Sequence, residues 1–261
     1  MAFFSTDKSS YKDESEFLEA KIQRKSSISG PLMFVIIVFA VIFIMSVTFR
    51  IENIQVIGNS HYTANEIINA IDIEEGDNLF FFDRFAAITR VFSKLPYVQE
   101  VSLERALPNK VTIHVTESTA VAYIKIGLEY WTFDEKCKVL GRAAEGEEEG
   151  LIPIVGFNPG TIFINEPLQT LDHDERTTAY LRTILNQIVE RGIAYQVEKI
   201  DFSNTNNVIM NYAGKYIIRL GDPYATEKKF SMVLSAVGQL REGDIGIIDV
   251  TDASTVHFIP Y

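Results

Sequence analysis

The sequence predicts an α+β protein with one N-terminal transmembrane helix, a small β-α-α-β-β domain and a larger, mainly antiparallel β domain with two helices. Three observations predict this class. Residues 32–49 form an uncharged apolar run, residues 50–119 alternate between strand-like and helical periodicity, and residues 120–261 contain many short apolar runs and two longer amphipathic ones. Residues 1–31 are rich in Ser, Lys and Glu, which predicts a largely disordered tail.

The composition excludes several classes of protein. Hydrophobic residues make up 47% of the 261 residues, enough to build at least one core. The 24 basic and 35 acidic side chains give a formal net charge of −11. This balance argues against nucleic-acid binding, because affinity for phosphates needs clustered Lys and Arg. The single cysteine, Cys137, excludes an intrachain disulfide and a zinc site built from several thiolates.

The apolar run at residues 32–49 predicts a membrane span. Only Ser46 and Thr48 are polar in it, and as a helix it would be about 27 Å long, close to the roughly 30 Å of bilayer hydrocarbon. A core helix of a soluble protein would normally show a polar stripe, which this run lacks. A cleaved signal peptide would need a small-x-small site after the run, and none follows. We therefore expect an uncleaved signal anchor that crosses the membrane once.

The charges beside the span predict its orientation. Lys21, Arg24 and Lys25 precede it, whereas Arg50 is the only basic residue between the span and Arg84. The positive-inside rule then places the N-terminus in the cytoplasm. We expect a single-pass type II membrane protein, with its C-terminal domains outside the cytoplasm.

The small domain begins with a predicted strand at residues 51–57 and a turn at Gly58. Thr63 and Glu66 have the spacing of a capping box, in which each side chain accepts a backbone N–H that the start of a helix leaves unpaired. The helix that follows is expected to bury Ile67, Ile68 and Ile71.

Asp83 can cap a second helix, which Pro96 ends. The predicted buried face of this helix contains Phe85, Ile88, Phe92 and Leu95. Two strands follow, at residues 98–105 and 111–116. This order of elements predicts one three-stranded sheet covered on one face by two helices.

The larger domain is expected to begin with a hairpin of residues 121–126 and 129–133. Further strands are predicted at residues 151–155, 197–202, 208–212, 215–220, 245–250 and 255–259. A helix at residues 174–191 is expected to bury Leu181, Ile184, Leu185 and Ile188. The last helix is expected to bury Phe230, Val233, Leu234, Val237 and Leu240. The acidic tract at residues 141–150 is interpreted as a solvated loop.

An ordered series of short motifs runs through residues 54–117. It reads I-x-V-x-G-N, E-I-I, G-x-N-L-F, L-P-Y-V and V-x-L-x-R-x-L-P-x-x-V-x-I-x-V-x-E. The series resembles the polypeptide-transport-associated (POTRA) fold, in the form found in the bacterial division proteins FtsQ and DivIB. Its position directly after a signal anchor also matches that family. Residues 118–261 resemble the family more weakly, so that the resemblance covers roughly residues 32–260. The sequence departs from the family at Lys136-Cys137, where a glycine usually follows an aspartate such as Asp134.

The sequence contains no G-x-S-x-G, Walker A, G-x-G-x-x-G or H-E-x-x-H motif, so it shows none of these catalytic or nucleotide-binding signatures. The one close cluster of histidine and carboxylates is Asp172-His173-Asp174, directly before a helix that Asp174 can cap. We therefore expect no catalytic residue, metal site, cofactor or small-molecule substrate.

The strand that ends the chain is the predicted binding site. An edge strand has unpaired backbone N–H and C=O groups, to which an extended segment of a partner can add a strand. The predicted partner-binding residues are Asp249, Thr251, Thr255, Val256, His257, Phe258, Ile259 and Pro260. The alternative interpretation is an ordinary edge strand that its neighbours protect.

The family resemblance implies a non-enzymatic scaffold at the division septum. It implies that the terminal sheet binds FtsB- or DivIC-type and FtsL-type division proteins, and so helps regulate septal peptidoglycan synthesis. Two other functions stay open from the residues alone: a membrane-anchored cell-wall hydrolase, and a POTRA-type chaperone for secreted polypeptides.

Overall fold

The computed structural model describes residues 30–261, which form two compact units. The first unit consists of the described residues up to 55 together with residues 73–82 and 104–112. The second unit consists of residues 56–72, 83–103 and 113–261. The predicted disordered tail, and the basic residues that predict the orientation of the span, lie outside the described residues.

Helix α1, Gly30–Thr48, is the single helix among residues 30–261 that is long and apolar enough to cross a membrane. It has 19 residues, and none of its apolar window is buried inside the protein. Since the protein leaves these apolar side chains exposed, a lipid bilayer is the environment that suits them. The predicted span at residues 32–49 agrees with α1 to within two residues at each end.

Three strands form the first sheet, in the order β1-β3-β2. They are β1 (Asn53–Ile57), β2 (Val98–Ala106) and β3 (Lys110–Glu117). Helices α2 (Ala64–Ile71) and α3 (Arg84–Lys94) lie between β1 and β2 in the chain. The predicted β-α-α-β-β order is therefore confirmed.

Both predicted helix caps of the small domain are present. The hydroxyl of Thr63 accepts from the N–H of Glu66 at 3.3 Å, and the Glu66 carboxylate accepts from the N–H of Thr63 at 2.8 Å. The Asp83 carboxylate accepts from the N–H groups of Phe85 and Ala86, each at 3.0 Å. These bonds pair N–H groups that the first turn of each helix leaves without partners.

The predicted buried face of α3 is wrong in part. The buried residues of the helix are Ala87 and Val91, and Leu95 is buried just after it. Phe85, which was expected on this face, is 80% exposed, and Ile88 and Phe92 are only half-buried. Apolar residues recur with the helical period both on the predicted face and on the neighbouring face that contains Ala87 and Val91. Their spacing alone therefore does not show which face is buried. Side-chain size favoured the aromatic face, whereas the structure buries the smaller side chains.

The second sheet has nine strands, in the order β12-β11-β10-β9-β8-β7-β4-β5-β6. Five of its eight neighbouring pairs are antiparallel, and the pairs β4·β7, β7·β8 and β10·β11 are parallel. The prediction of a mainly antiparallel sheet is confirmed. The strands are β4 (Ala122–Ile126), β5 (Glu129–Phe133), β6 (Val139–Ala143), β7 (Ile152–Val155), β8 (Val197–Asp201), β9 (Val208–Tyr212), β10 (Tyr216–Gly221), β11 (Gly246–Asp249) and β12 (His257–Pro260).

Two α-helices belong to this larger region: α4 (Glu175–Glu190) and α5 (Thr226–Val237). A short 3-10 helix, Ala194–Gln196, follows α4. The predicted face of α4 is confirmed, because all four of its expected apolar side chains are fully buried: Leu181, Ile184, Leu185 and Ile188.

The predicted face of α5 is confirmed only in part. Phe230 and Val233 are buried, whereas Leu234, Val237 and Leu240 are partly buried and Leu240 lies beyond the end of the helix. Apolar surface on and just after α5 is therefore left accessible.

The turn between β5 and β6 contains Lys136-Cys137, where the sequence departs from the pattern that it otherwise resembles. Asp134 is buried, and its carboxylate accepts from the Ser118 hydroxyl at 2.9 Å and from the N–H groups of Lys136 at 3.0 Å and Lys138 at 2.8 Å. Cys137 has a φ of 62°, a left-handed conformation that favours glycine. It lies in this turn, with its side chain fully buried in the core.

We predict that the Cys137 thiol does not react while the protein is folded. Burial raises its pKa to about 12, so the reactive thiolate is scarce at neutral pH, and the side chain is inaccessible. Treatment of the folded protein with a maleimide should leave its mass unchanged, whereas treatment in urea should add one label. Rapid labelling of protein that keeps its native circular dichroism spectrum would contradict this prediction.

Candidate partner-binding edge of the second sheet

Strand β12 lies at one end of the strand order of the second sheet. Within residues 30–261 its sheet neighbour is β11, with which it pairs in antiparallel register from Gly246↔Pro260 to Asp249↔His257. No other strand of the described chain covers its outer side. The predicted residues 257–260 thus form the edge strand, and residues 255 and 256 lead into it.

The backbone groups of β12 alternate between two directions. The N–H of Tyr261 donates to the C=O of Ile245 at 3.0 Å. Tyr261 and Ile245 are therefore a hydrogen-bonded pair that continues the ladder between β12 and β11. In an antiparallel pair such positions alternate with positions whose backbone groups face away. Residues 257, 259 and 261 therefore direct their groups toward β11, and residues 256, 258 and 260 direct theirs outward. Pro260 has no N–H, so the outward donors are the N–H groups of Val256 and Phe258.

An apolar groove lies beside this edge. It has a volume of about 460 Å³ between α5 and the C-terminal segment. The Phe258 ring packs edge-on against Tyr216, with ring centroids 6.5 Å apart. His257 and Ile259 are exposed, whereas Val256 and Phe258 are half-buried. The groove is lined by Lys228, Ser231, Met232, Ser235, Ala236, Gln239, Leu240, Val256 and Phe258. A strand added to β12 would therefore find apolar surface for side chains on one of its faces.

Asp249 and Thr251 hold the chain at the end of β11. The Asp249 carboxylate accepts from the Thr251 N–H at 3.0 Å and from its hydroxyl at 2.7 Å, and lies 3.6 Å from the Arg219 guanidinium. Burial raises the pKa of Asp249, but the bonds from Thr251 and the charge of Arg219 together hold it below its ordinary value. The carboxylate is therefore ionised at neutral pH and already paired. These two predicted site residues position the chain that leads toward β12, because their side chains bond to each other.

Helix α5, one wall of the groove, is fixed by a buried lysine. The Lys229 ammonium, which is fully buried, donates to the backbone C=O of Asp222 at 2.9 Å and to its carboxylate at 3.0 Å. The hydrogen bond from Lys229 lowers the pKa of the Asp222 carboxyl below its ordinary value. This pair ties the first turns of α5 to the end of β10.

Several contributors to this site were not predicted from the sequence. The groove residues Met232, Ala236 and Gln239 lie on or just after α5 and were not singled out. Gly246 begins β11, and a Cβ built there would lie 2.2 Å from the carbonyl oxygen of Ile259 in β12. A glycine at the start of an apolar strand is a known signal of close backbone approach, so this position could have been found.

The cluster at residues 172–174 lies at the start of α4. The Asp174 carboxylate caps α4, accepting from the Arg176 N–H at 3.0 Å and the Thr177 hydroxyl at 2.7 Å. The bond from Thr177 lowers the pKa of Asp174, so this group is ionised and suits a cap better than a general acid. His173 and Asp174 line a cavity of about 420 Å³, but Asp172 does not. In the part of the chain that the structure describes, no three His, Cys, Asp or Glu side chains could hold a metal ion.

Comparisons with known proteins agree with this fold. A family model described as "POTRA domain, FtsQ-type" matches residues 49–118. The chain is 25% identical over 240 residues to the cell division protein DivIB of Clostridium botulinum (strain Hall). The matched region covers 90% of this chain and 92% of the relative. It is 26% identical over 144 residues to DivIB of Bacillus subtilis, covering 53% and 55%. It is 32% identical over 87 residues to the cell division protein FtsQ of Streptomyces coelicolor, covering 33% of each chain.

Proposed function

Because the chain belongs to the FtsQ/DivIB family of bacterial cell division proteins, we propose that it is a non-enzymatic scaffold of the division machinery. Helix α1 anchors it in the cell membrane with the N-terminus in the cytoplasm. Residues 50–119 form its POTRA domain and residues 120–261 its partner-binding domain, both outside the cytoplasm at the septum.

The partner-binding step takes place at β12. An extended segment of an FtsB- or DivIC-type division protein adds to this edge as a further strand, an FtsL-type protein binds in the same complex, and the assembly regulates septal peptidoglycan synthesis. One observation carries this proposal: the outward N–H groups of Val256 and Phe258 lie along a sheet edge that no other strand of residues 30–261 covers, beside an apolar groove. Backbone groups of this kind give affinity for an added strand, and the groove gives selectivity for its side chains.

The experiment that tests the function is a titration of the full-length chain in lipid nanodiscs. The titrant is the purified FtsB- or DivIC-type protein of the same organism. Saturable binding to this partner, with no comparable affinity for unrelated unfolded peptides, is expected. The absence of binding would contradict the proposal, and equal affinity for many unfolded peptides would favour a chaperone instead.

The same preparation distinguishes a scaffold from a hydrolase. Incubation with purified peptidoglycan is expected to release no soluble fragments. Release that disappears in the variants Asp172→Asn and Asp174→Asn would favour a membrane-anchored hydrolase.

A further inference from the structure

The loop of residues 78–82 is bonded to the last turn of the membrane helix α1. The Asn78 side-chain amide donates to the C=O of Met45 at 3.0 Å and of Ser46 at 3.2 Å. The N–H of Leu79 donates to the C=O of Phe49 at 2.8 Å. The final carbonyls of a helix have no partners within the helix, so the loop supplies partners for them.

Aromatic contacts hold the same loop in place. The Phe80 ring packs edge-on against Phe49, with centroids 5.1 Å apart. The Arg105 guanidinium lies 4.8 Å from the centre of the Phe82 ring and 5.9 Å from that of Phe80. All of these residues belong to the first compact unit, together with α1. The loop is therefore built onto the end of the helix, and Phe81 is left 63% exposed in the middle of it.

The depth of the loop follows from its bond to Met45. This residue lies three positions before Thr48, where α1 ends, which corresponds to about 4.5 Å along the helix axis at 1.5 Å per residue. Asn78 is thus level with the last turn of the span and not beyond it. If α1 spans a bilayer, the rings of residues 80–82 lie where the acyl chains meet the headgroups. Phe side chains of interfacial segments insert at this depth, where the boundary between headgroups and acyl chains buries their apolar surface.

We propose that Phe81, flanked by Phe80 and Phe82, inserts into the lipid leaflet at which α1 ends. The partner is the phospholipid bilayer that the helix spans. Arg105 stacks on the flanking rings and holds them in position. The insertion gives the first unit a second attachment to the membrane and restricts its rotation about the helix axis. This inference depends on the membrane anchor and not on partner binding at β12.

The test places a tryptophan in the loop of the full-length chain. The variant Phe81→Trp is reconstituted into phosphatidylcholine and phosphatidylglycerol vesicles that contain lipids brominated near the top of the acyl chains. The native Trp131 is buried and gives a constant background, measured with the unsubstituted chain. The matched control is Leu128→Trp, because Leu128 is a 92% exposed apolar residue of the second unit.

Phe81→Trp should show blue-shifted emission and strong quenching by the bromines. Leu128→Trp should add a signal to the Trp131 background that the bromines do not quench. A second probe uses Phe81→Cys labelled with an environment-sensitive dye, whose emission should shift to the blue in vesicles. The buried Cys137 is not expected to compete for the dye. If the tryptophan is unquenched and the dye reports water in vesicles that hold correctly inserted protein, Phe81 does not enter lipid and the inference is overturned.

Discussion

Replacing both Val256 and Phe258 with proline is expected to lower affinity for the FtsB- or DivIC-type partner by about fivefold to 150-fold. Phe258 carries an outward N–H donor of β12, and Val256 carries the donor directly before this strand. A backbone hydrogen bond contributes roughly 0.5–1.5 kcal/mol net, so the loss of two costs about 1–3 kcal/mol. Proline is tolerated on an edge strand whose N–H faces outward, so the pairing of β12 with β11 should survive. Isothermal titration calorimetry of the full-length chain in nanodiscs measures the change.

The matched control for the proline variant is the double variant Val256→Ala and Phe258→Ala. It loses the same two side chains but keeps both backbone donors. Affinity should therefore fall less than in the proline variant if the ladder contributes to binding. Equal affinities of the two variants, with circular dichroism and thermal unfolding showing an intact fold, would contradict binding through the backbone of β12.

The substitution Gly246→Val is expected to detach β12 from the sheet without changing any residue of that strand. A Cβ at position 246 would lie 2.2 Å from the carbonyl oxygen of Ile259 and 3.0 Å from its carbonyl carbon. These atoms belong to the backbone of β12, so the strand must move. Strand β11 keeps its parallel partner β10, and the rest of the sheet should stay folded. Affinity for the partner should fall by about a hundredfold or more, because no ordered edge remains for a ladder of several bonds, each worth roughly 1 kcal/mol.

Gly243→Val provides the control for this prediction. A Cβ at position 243 meets no atom within 4 Å, so the same change of residue should be tolerated there. Nuclear magnetic resonance of residues 257–261 and partner titration should show native behaviour for Gly243→Val and a disordered C-terminus without binding for Gly246→Val. Native binding by Gly246→Val would mean that the edge position of β12 does not matter to the partner.

The parts of the fold that the sequence predicts best are those with local causes. The bonds between Thr63 and Glu66 depend on residues three positions apart, so their spacing is sufficient to predict them. The buried face of α4 was also predicted, because its apolar residues form one wide stripe. The face of α3 was predicted wrongly in part, since the choice between Phe85 and Ala87 depends on what packs against the helix.

The features of the site that were not predicted depend on contacts between distant residues. The sequence predicts that the last strand lies on an edge, but not that the groove beside it is bounded by α5. Lys229 lies next to the apolar Phe230, and only the folded chain shows that its ammonium bonds to Asp222 seven positions earlier. Close approach at Gly246 likewise depends on Ile259, which is thirteen positions away.

Amide hydrogen exchange at β12, measured by nuclear magnetic resonance on the unsubstituted full-length chain, tests the binding of a partner strand most directly. In the free protein the N–H groups of His257 and Ile259, which face β11, should exchange slowly, and those of Val256 and Phe258 should exchange fast. Adding the FtsB- or DivIC-type partner should slow exchange at Val256 and Phe258. If the partner binds and the Phe258 amide still exchanges at its free rate, the partner does not add a strand to this edge.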